Sequence, residues 1–200
     1  MFKDLNALIV VASKNLNVKE IEYLYKLGYH DFGENKVSSL LVKKNELKDL
    51  NINWHFIGNL QTNKVKDIIN EVVCIHSIYK VSQVRLIEKY SNKIIPIFLE
   101  INYLKLPSRS GLEIDEVESF IEEIKKYKKI KIAGLMVIGA INNNLLTEEI
   151  FSNVSILNEK LGFNELSMGM SDDYEIALKY RGTTLRIGRK IREELPSLIL

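Results

Sequence analysis

The feature that most constrains the fold of this chain is an alternation of short apolar runs with helical segments, which continues along almost its whole length. The first run, residues 7–13 (ALIVVAS), is nearly unbroken, as expected of a parallel strand covered on both faces. The helical segments carry apolar residues at mostly helical spacing. Strands are predicted at 7–13, 31–34, 53–58, 72–78, 94–102, 131–138, 165–169 and 183–187, and helices at 17–27, 36–47, 63–70, 80–90, 112–127, 147–161 and 174–180.

About eight strand–helix units form the repeat of a (β/α)8 TIM-type barrel, with parallel strands inside and helices outside. An open, doubly wound sheet is the alternative, and we favour the barrel because the number of units matches it. No linker or shift in composition divides the 200 residues, so we predict a single domain over 1–200. Thr147 is the predicted N-cap of the helix after the sixth strand.

Composition excludes several classes of function. A net charge of +2, with the charges interspersed, gives no reason to expect nucleic acid as a partner. No apolar run approaches the length of a membrane span, and Asp4 and Asn6 interrupt any signal-peptide pattern. Cys74 is the only cysteine, which excludes an internal disulfide and argues against a zinc cluster. We therefore expect a cytoplasmic protein.

Residues 166–189 (LSMGMSDDYEIALKYRGTTLRIGR) place a polar turn after each of the last two predicted strands. Ser171 is an N-cap residue type, and Gly188 lets the backbone approach a ligand closely. Backbone N–H groups at helix starts attract anions, and the loops after the last two strands of a (β/α)8 barrel are the usual phosphate site. The segment is therefore predicted to form a phosphate-binding cup.

Lys14 stands at the end of the apolar first strand, where it is predicted to lose hydration and become a nucleophile. A lysine of this kind forms a Schiff base with an aldehyde. Closing the barrel makes the first and eighth strands neighbours, so Lys14 would lie near the cup. An aldehyde that also carries a phosphate is pyridoxal 5′-phosphate. The alternative is a solvated lysine at the start of a loop.

Arg186 lies at the end of the eighth predicted strand, two residues before Gly188. It could pair with the phosphate or face the ring nitrogen of pyridoxal. Because arginine keeps its proton, it would leave that nitrogen unprotonated and the ring a weak electron sink. The alternative is an interior arginine that pairs with a carboxylate such as Glu34.

Eight segments then carry a resemblance that extends from Leu8 to Ile191. They are VVASK (10–14), FGEN (32–35), WHFIGNLQTNK (54–64), HSI (76–78), SRSGL (108–112), GLM (134–136), LSMGMSDD (166–173) and RIG (186–188). In this order they resemble the motifs of the pyridoxal-phosphate homeostasis protein family. The most specific are WHFIG-x-LQ-x-NK and LSMGMS-x-D.

The resemblance implies a monomeric, alanine-racemase-like barrel that holds pyridoxal phosphate as an internal aldimine. Members of the family have no established catalytic activity and are associated with intracellular vitamin B6 balance. Transient contact with apo-enzymes that need the cofactor is a further expectation. The implied contacts are Lys14 (Schiff base), Ser171, Gly188 and the Arg189 backbone (phosphate), Arg186 (ring nitrogen), and Asn35 and Met168 (pocket wall).

Three departures from the family pattern modify these expectations. Members usually have a helix before the first strand, whereas this chain begins almost at the strand, so a barrel flank is expected to be exposed or to self-associate. Arg109 stands where lysine is frequent, and arginine forms no Schiff base. The loop at 139–140 lacks the usual threonine or proline, which predicts a reshaped loop.

Two other functions remain open at this point. A racemase needs two bases, one on each face of the substrate α-carbon, and the chain has no residues left for a domain that would supply the second. A sugar-phosphate-binding barrel would hold no pyridoxal. His55 and His76 are interpreted as core or rim residues, His30 as a surface residue and Cys74 as a small buried hydrophobe.

Overall fold

The computed structural model describes residues 2–193 and 195, with Lys3 described by its backbone alone. Within these residues, eight parallel strands close into a barrel in chain order. The barrel prediction is confirmed, and the open sheet is excluded. The strands are Leu8–Ala12 (β1), Asp31–Glu34 (β2), Asn53–Phe56 (β3), Cys74–Ile78 (β4), Ile95–Ile101 (β5), Ile130–Val137 (β6), Glu165–Ser167 (β7) and Thr184–Ile187 (β8).

Helices follow the strands, and several begin or connect through single 3₁₀ turns. None of the helices in the described residues combines the length and apolar character needed to cross a bilayer. The 3₁₀ turns are Phe2–Asp4, Ser13–Asn15, Thr62–Lys64 and Ile114–Glu116. The helices are Val18–Lys26 (α1), Val37–Glu46 (α2), Val65–Ile68 (α3), Val81–Tyr90 (α4), Val117–Ile124 (α5), Asn144–Lys160 (α6), Tyr174–Lys179 (α7) and Arg189–Glu193 (α8).

Helix α1 shows how local sequence sets an element. Asn17 caps it by accepting a hydrogen bond from the Glu20 backbone N–H at 3.0 Å, and the Glu20 carboxylate accepts one from the Asn17 N–H in return. Gly28 follows the last turn with a φ of 89°, which a glycine adopts without strain. Between these ends, Ile21 and Leu24 are buried against the barrel.

Apolar side chains form a large layer between the strands and the helices, and a small one inside the barrel. The outer layer includes Ile21, Leu40 and Phe151, and burying each such side chain stabilises the fold by about 1.5–3 kcal/mol. The inner group is Cys74, Phe98 and Met136. Buried polar side chains, considered below, share the interior with it.

Strand pairing is uneven around the barrel. β5 and β6 pair from Ile95↔Ile130 to Ile101↔Val137, whereas the described pairing of β7 with β8 is the single register Ser167↔Thr184. β1 and β8 close the barrel, with Leu8 opposite Thr184 and Val11 opposite Ile187. The residues that follow β1 and β8 therefore lie side by side, as the sequence predicted.

Several predicted element boundaries were wrong, most clearly at helix α6, at the helix predicted over 112–127 and after Gly188. Helix α6 begins at Asn144 and is capped by Asn143, whose side chain accepts from the Leu146 N–H at 3.0 Å. Thr147 is buried instead, and its hydroxyl bonds both backbone groups of Ala140, which holds the loop after β6.

The predicted helix at 112–127 starts later, because Leu112 bridges to Ile101 and continues the sheet pairing. The residues after Gly188, predicted as a turn, form α8.

Candidate functional site

A cavity of about 760 Å³ opens where the ends of β1 and β8 meet, a volume within the range of small-molecule sites. Four segments contribute to it: the Ser13–Asn15 turn, the loop after β7, the end of β8, and α8. Its lining residues are Ala12, Lys14, Asn15, Leu16, Met170, Ser171, Asp172, Arg186, Gly188, Arg189, Arg192 and Glu193.

Lys14 reaches the cavity from a 3₁₀ turn and is exposed. The prediction that it loses hydration is therefore wrong for the chain alone. β1 ends at Ala12, and the turn carries Lys14 out of the apolar strand and over the cavity. Its predicted position beside the eighth strand is where the structure places it.

The turn that carries Lys14 is anchored by a buried ion pair that the sequence did not reveal. The Ser13 hydroxyl lies 3.1 Å from the Gly33 carbonyl and 2.8 Å from Glu34 Oε1. Lys43 Nζ donates to Glu34 Oε1 and to the Ser13 carbonyl, each at 2.6 Å. Glu34 is fully buried, so this pair fixes the backbone directly before Lys14.

Ser171, Gly188 and Arg189 lie together in the lining of the same cavity. Ser171 Oγ accepts from the Lys190 backbone N–H at 3.3 Å, which ties the loop after β7 to the first turn of α8. A Cβ on Gly188 would lie 3.2 Å from the Ala12 carbonyl oxygen, so a side chain there would be crowded. The residues predicted to form the cup therefore lie close together, and those after Gly188 form the start of α8.

The Arg189 side chain is committed to acidic neighbours rather than to the cavity. It forms ion pairs with Asp172 and, at 3.6 Å, with Glu193. The Asp172 hydrogen bond is the main reason that the pKa of Arg189 is raised above its ordinary value. The Arg189 guanidinium is thus already paired with two carboxylates that also line the cavity.

Arg186 is buried, and its guanidinium donates to groups on two neighbouring strands. Its nitrogens donate to the Ser167 carbonyl at 2.8 Å, the Ser167 hydroxyl and the Val137 carbonyl at 3.0 Å. Burial lowers its pKa to about 10, although the nearby Asp173 and Glu100 act in the opposite direction. Arg186 is therefore cationic at neutral pH. The alternative pairing with Glu34 is not found, because Glu34 pairs with Lys43.

Three other residues with predicted or considered roles lie elsewhere. Met168 is fully buried in the core, and Asn35 lines a neighbouring depression of about 500 Å³, so the structure does not place either on the wall of this cavity. Their positions follow from β7 ending at Ser167 and from the outward course of the chain after β2. Arg109 lines another depression of about 300 Å³, near the carbonyls of Ile138 and Gly139.

The positive charge of the cavity suits a phosphate group, and its primary amine suits an aldehyde. Its lining has four cations, Lys14, Arg186, Arg189 and Arg192, against two carboxylates, Asp172 and Glu193, which leaves a local net charge of +2. The lining thus offers a primary amine on Lys14, a hydroxyl and an accessible backbone at Ser171 and Gly188, and a buried cation on Arg186. This donor set fits pyridoxal phosphate.

The residues 12–191 match the family model described as alanine racemase, N-terminal domain. The pyridoxal phosphate homeostasis protein of Aquifex aeolicus is 34% identical over 91% of this chain and 84% of its own length. The protein of the same name from Pseudomonas aeruginosa is 33% identical over 90% of this chain and 81% of its own length. This chain belongs to the pyridoxal phosphate homeostasis protein family.

Solved structures agree with this assignment. PipY of Synechococcus elongatus PCC7942, in a structure with pyridoxal phosphate bound, is 26% identical and superposes with a TM-score of 0.87 over 94% of each chain. Alanine racemase from Corynebacterium glutamicum is 14% identical with a TM-score of 0.72, over 98% of this chain but 58% of its own. That second similarity concerns the fold alone.

Proposed function

We propose that this protein binds pyridoxal 5′-phosphate in the cavity between the ends of β1 and β8, and takes part in intracellular vitamin B6 homeostasis as a carrier rather than an enzyme. The observation that carries the proposal is one cavity lined by Lys14, Ser171, Gly188 and Arg186 together. When bound, the cofactor supplies an aldehyde that condenses with a primary amine and releases one water.

Different residues of the chain contact different groups of this ligand in the proposed complex. Lys14 offers the primary amine, and the buried pair of Glu34 and Lys43 fixes the turn on which it stands. Ser171 and the backbone at Gly188 and Arg189 would hold the phosphate. Arg186, which donates to the Ser167 carbonyl, would supply a cation to the ring nitrogen.

The cavity lining favours a carrier over an amino-acid racemase. Racemisation requires a second base opposite the first. Tyrosine, histidine and cysteine are absent from the described lining, and an ion pair with Arg189 engages each of its carboxylates, Asp172 and Glu193. A permanently cationic Arg186 also weakens the ring as an electron sink.

Exposure of the attachment point supports exchange of the ligand. Lys14 is exposed, and Met170 on the loop opposite is 37% exposed, so solvent reaches the amine without any rearrangement. We further propose that the protein is a monomer with one domain, and that this exposure lets it give up its cofactor to apo-enzymes in transient encounters.

The test is to map the attachment point. The purified protein is mixed with pyridoxal phosphate, reduced with borohydride, digested and analysed by mass spectrometry, with absorption recorded before reduction. We expect a near-ultraviolet to visible absorption band and a one-to-one adduct on Lys14. A colourless protein without an adduct would overturn the proposal in favour of a sugar-phosphate-binding barrel.

The second part of the test asks whether the protein is a carrier. The loaded protein is incubated with an L-amino acid, and chiral chromatography follows the appearance of the D-enantiomer. We expect no conversion above that of free pyridoxal phosphate. Rapid racemisation would show an enzyme and contradict the carrier assignment.

A further inference from the structure

Five polar side chains on five strands form a continuous series of hydrogen bonds through the barrel interior, which we call the interior chain. Its members are Asp31 on β2, His55 on β3, His76 on β4, Ser167 on β7 and Arg186 on β8. Asp31 Oδ1 lies 3.1 Å from His55 Nε2, and His55 Nδ1 lies 3.0 Å from His76 Nε2. His76 Nδ1 lies 2.8 Å from Ser167 Oγ, which accepts from Arg186.

When both imidazoles are neutral, the two ends of the interior chain determine the direction of every bond in it. Arg186 can only donate, and it donates to Ser167 Oγ. The single hydroxyl proton of Ser167 is then free to go to His76 Nδ1. A neutral His76 therefore carries its proton on Nε2 and donates to His55 Nδ1, and His55 donates from Nε2 to the Asp31 carboxylate, which can only accept.

The reverse direction would need an additional proton. If His76 Nδ1 donated to Ser167, then His76 Nε2 would have to accept from His55 Nδ1. His55 would still need a proton on Nε2 to face Asp31, and so would become an imidazolium. The neutral chain uses each donor and acceptor once and places no further charge in the interior.

A metal ion is the competing use of the same side chains. Ligand atoms of His55, Cys74 and His76 all lie within 4.8 Å of one another. His55 Nδ1 and His76 Nε2 lie 3.0 Å apart as a direct hydrogen-bonded pair, so one of these two nitrogens carries a proton and has no lone pair to offer a metal. Burial also raises the pKa of Cys74, which keeps it a thiol. The hydrogen-bonded chain is the better account.

We propose that Asp31, His55, His76 and Ser167 are positioning residues that hold the Arg186 guanidinium under the cofactor site, with the Asp31 carboxylate as the anchor at the amino end of the barrel strands. Asp31 is the first residue of β2, and its side chain is 19% exposed, whereas the His55 side chain is 6% exposed and the three other members are buried. The floor of the cavity is thus held from a residue that does not line it. The effect on the cofactor rests on the function proposed above, whereas the bond directions do not.

The first experiment needs neither the cofactor nor a variant of the interior chain. The protein has three histidines, so the long-range proton–nitrogen NMR spectrum of the apo-protein shows three rings, and His30→Gln identifies the one that is exposed. We expect both His55 and His76 as neutral Nε2–H tautomers. An Nδ1–H tautomer on either, an imidazolium at His55, or one tightly held metal ion per chain by elemental analysis would overturn the proposal.

The second experiment tests the coupling to the cofactor. Asp31→Leu should shift the absorption of the bound cofactor and raise its dissociation rate about three- to tenfold, the cost of one hydrogen bond. Asp31→Asn, which keeps an acceptor oxygen, should restore both, and the exposed Asp49→Leu should change neither.

An unchanged spectrum and rate in a folded Asp31→Leu protein would overturn the positioning role. If Asp31→Leu does not fold, Ser167→Ala serves in its place, with the same expected and contrary results. Failure of wild-type protein to take up the cofactor would instead refute the proposed function and leave the tautomer result intact.

Discussion

The rim of the cavity and the barrel interior beneath it are built in opposite ways. On the rim, Lys14 is exposed and the Arg189 side chain is 56% exposed in pairs with exposed carboxylates. In the interior, Arg186, Ser167 and His76 are at most 5% exposed and hydrogen-bonded to one another in series. Exposed ion pairs contribute about 0–1 kcal/mol, whereas a hydrogen bond from a charged group contributes about 1.5–3 kcal/mol. The contacts on the rim therefore cost less free energy to break than those of the floor beneath it.

The largest effect should come from the rim amine itself. Lys14→Ala removes the primary amine from the cavity, so we expect complete loss of the borohydride-reducible adduct, measured by intact mass. Lys36→Ala, at an exposed lysine on the neighbouring depression, is the control and should keep a full adduct. An adduct that survives in Lys14→Ala would mean that another lysine is the attachment point.

The next effect concerns the buried support of the rim. Lys43→Met leaves the Glu34 carboxylate buried without its cation, which should lower the free energy of unfolding by about 3–5 kcal/mol in urea titrations. The adjacent Lys44→Met is a matched control, because Lys44 pairs with Glu71 at the surface and should cost less than about 1 kcal/mol. Equal losses in the two variants would show that burial of the pair does not matter.

A third effect should appear in the pH dependence of the free energy of unfolding, to which His76 in the barrel interior contributes. Burial, helped by nearby His55 and Arg186, holds the pKa of His76 well below its ordinary 6.5. Below about pH 6.5 the unfolded chain therefore binds a proton that the folded chain does not, and stability should fall as pH falls, by up to about 1.4 kcal/mol per pH unit from this group. Above pH 6.5 its contribution is constant.

The comparison of wild type with His76→Gln isolates this contribution. Urea titrations from about pH 7 to about pH 5 should give a shallower loss of stability in the variant. Glu100 and Asp173, whose pKa values burial raises, favour the opposite slope, but both proteins contain them, so their effect largely cancels in the difference. Parallel curves would contradict a neutral, buried His76.

The smallest effect on cofactor affinity is expected at Arg189, because its side chain is already paired with carboxylates. Arg189→Ala removes a guanidinium that faces Asp172 and Glu193, so affinity for pyridoxal phosphate should fall less than tenfold, which is below about 1.4 kcal/mol. Affinity is measured by fluorescence titration with pyridoxal phosphate. Arg181→Ala, at an exposed pair with Glu159, is the control and should leave this affinity unchanged. A loss of a hundredfold would assign the phosphate contact to the Arg189 side chain.

Much of the fold could be predicted because the alternation of strands and helices is a local property of the sequence. Closure of the barrel then placed Lys14 beside Gly188 without any knowledge of side-chain contacts. The exposure of Lys14 was not predictable in this way, since it depends on β1 ending at Ala12 and on a 3₁₀ turn one residue later.

The hydrogen bonds of the interior chain could not be predicted from the sequence, for a different reason. His76 and Ser167 are 91 residues apart, and their contact depends on which side chains of β4 and β7 point inward at the same height. The alternation of apolar runs and helical segments predicts which strands exist, but not which residues of two separate strands lie at the same height in the barrel. His55 and His76 were interpreted as core or rim residues, and the structure buries both, but the hydrogen bond between them could not be predicted from the sequence.

The seam between β1 and β8 has a consequence for the order of events during protein synthesis. The lining of the cavity begins at Ala12, at the end of the first strand, and continues to Glu193, after the eighth, so the ribosome makes one wall before most of the barrel and the other after it. A nascent chain that stops short of Gly188 has Lys14 but lacks the lining residues from Gly188 onward. Tight uptake of the ligand therefore reports that translation has passed the eighth strand and that the two ends of the sheet have met.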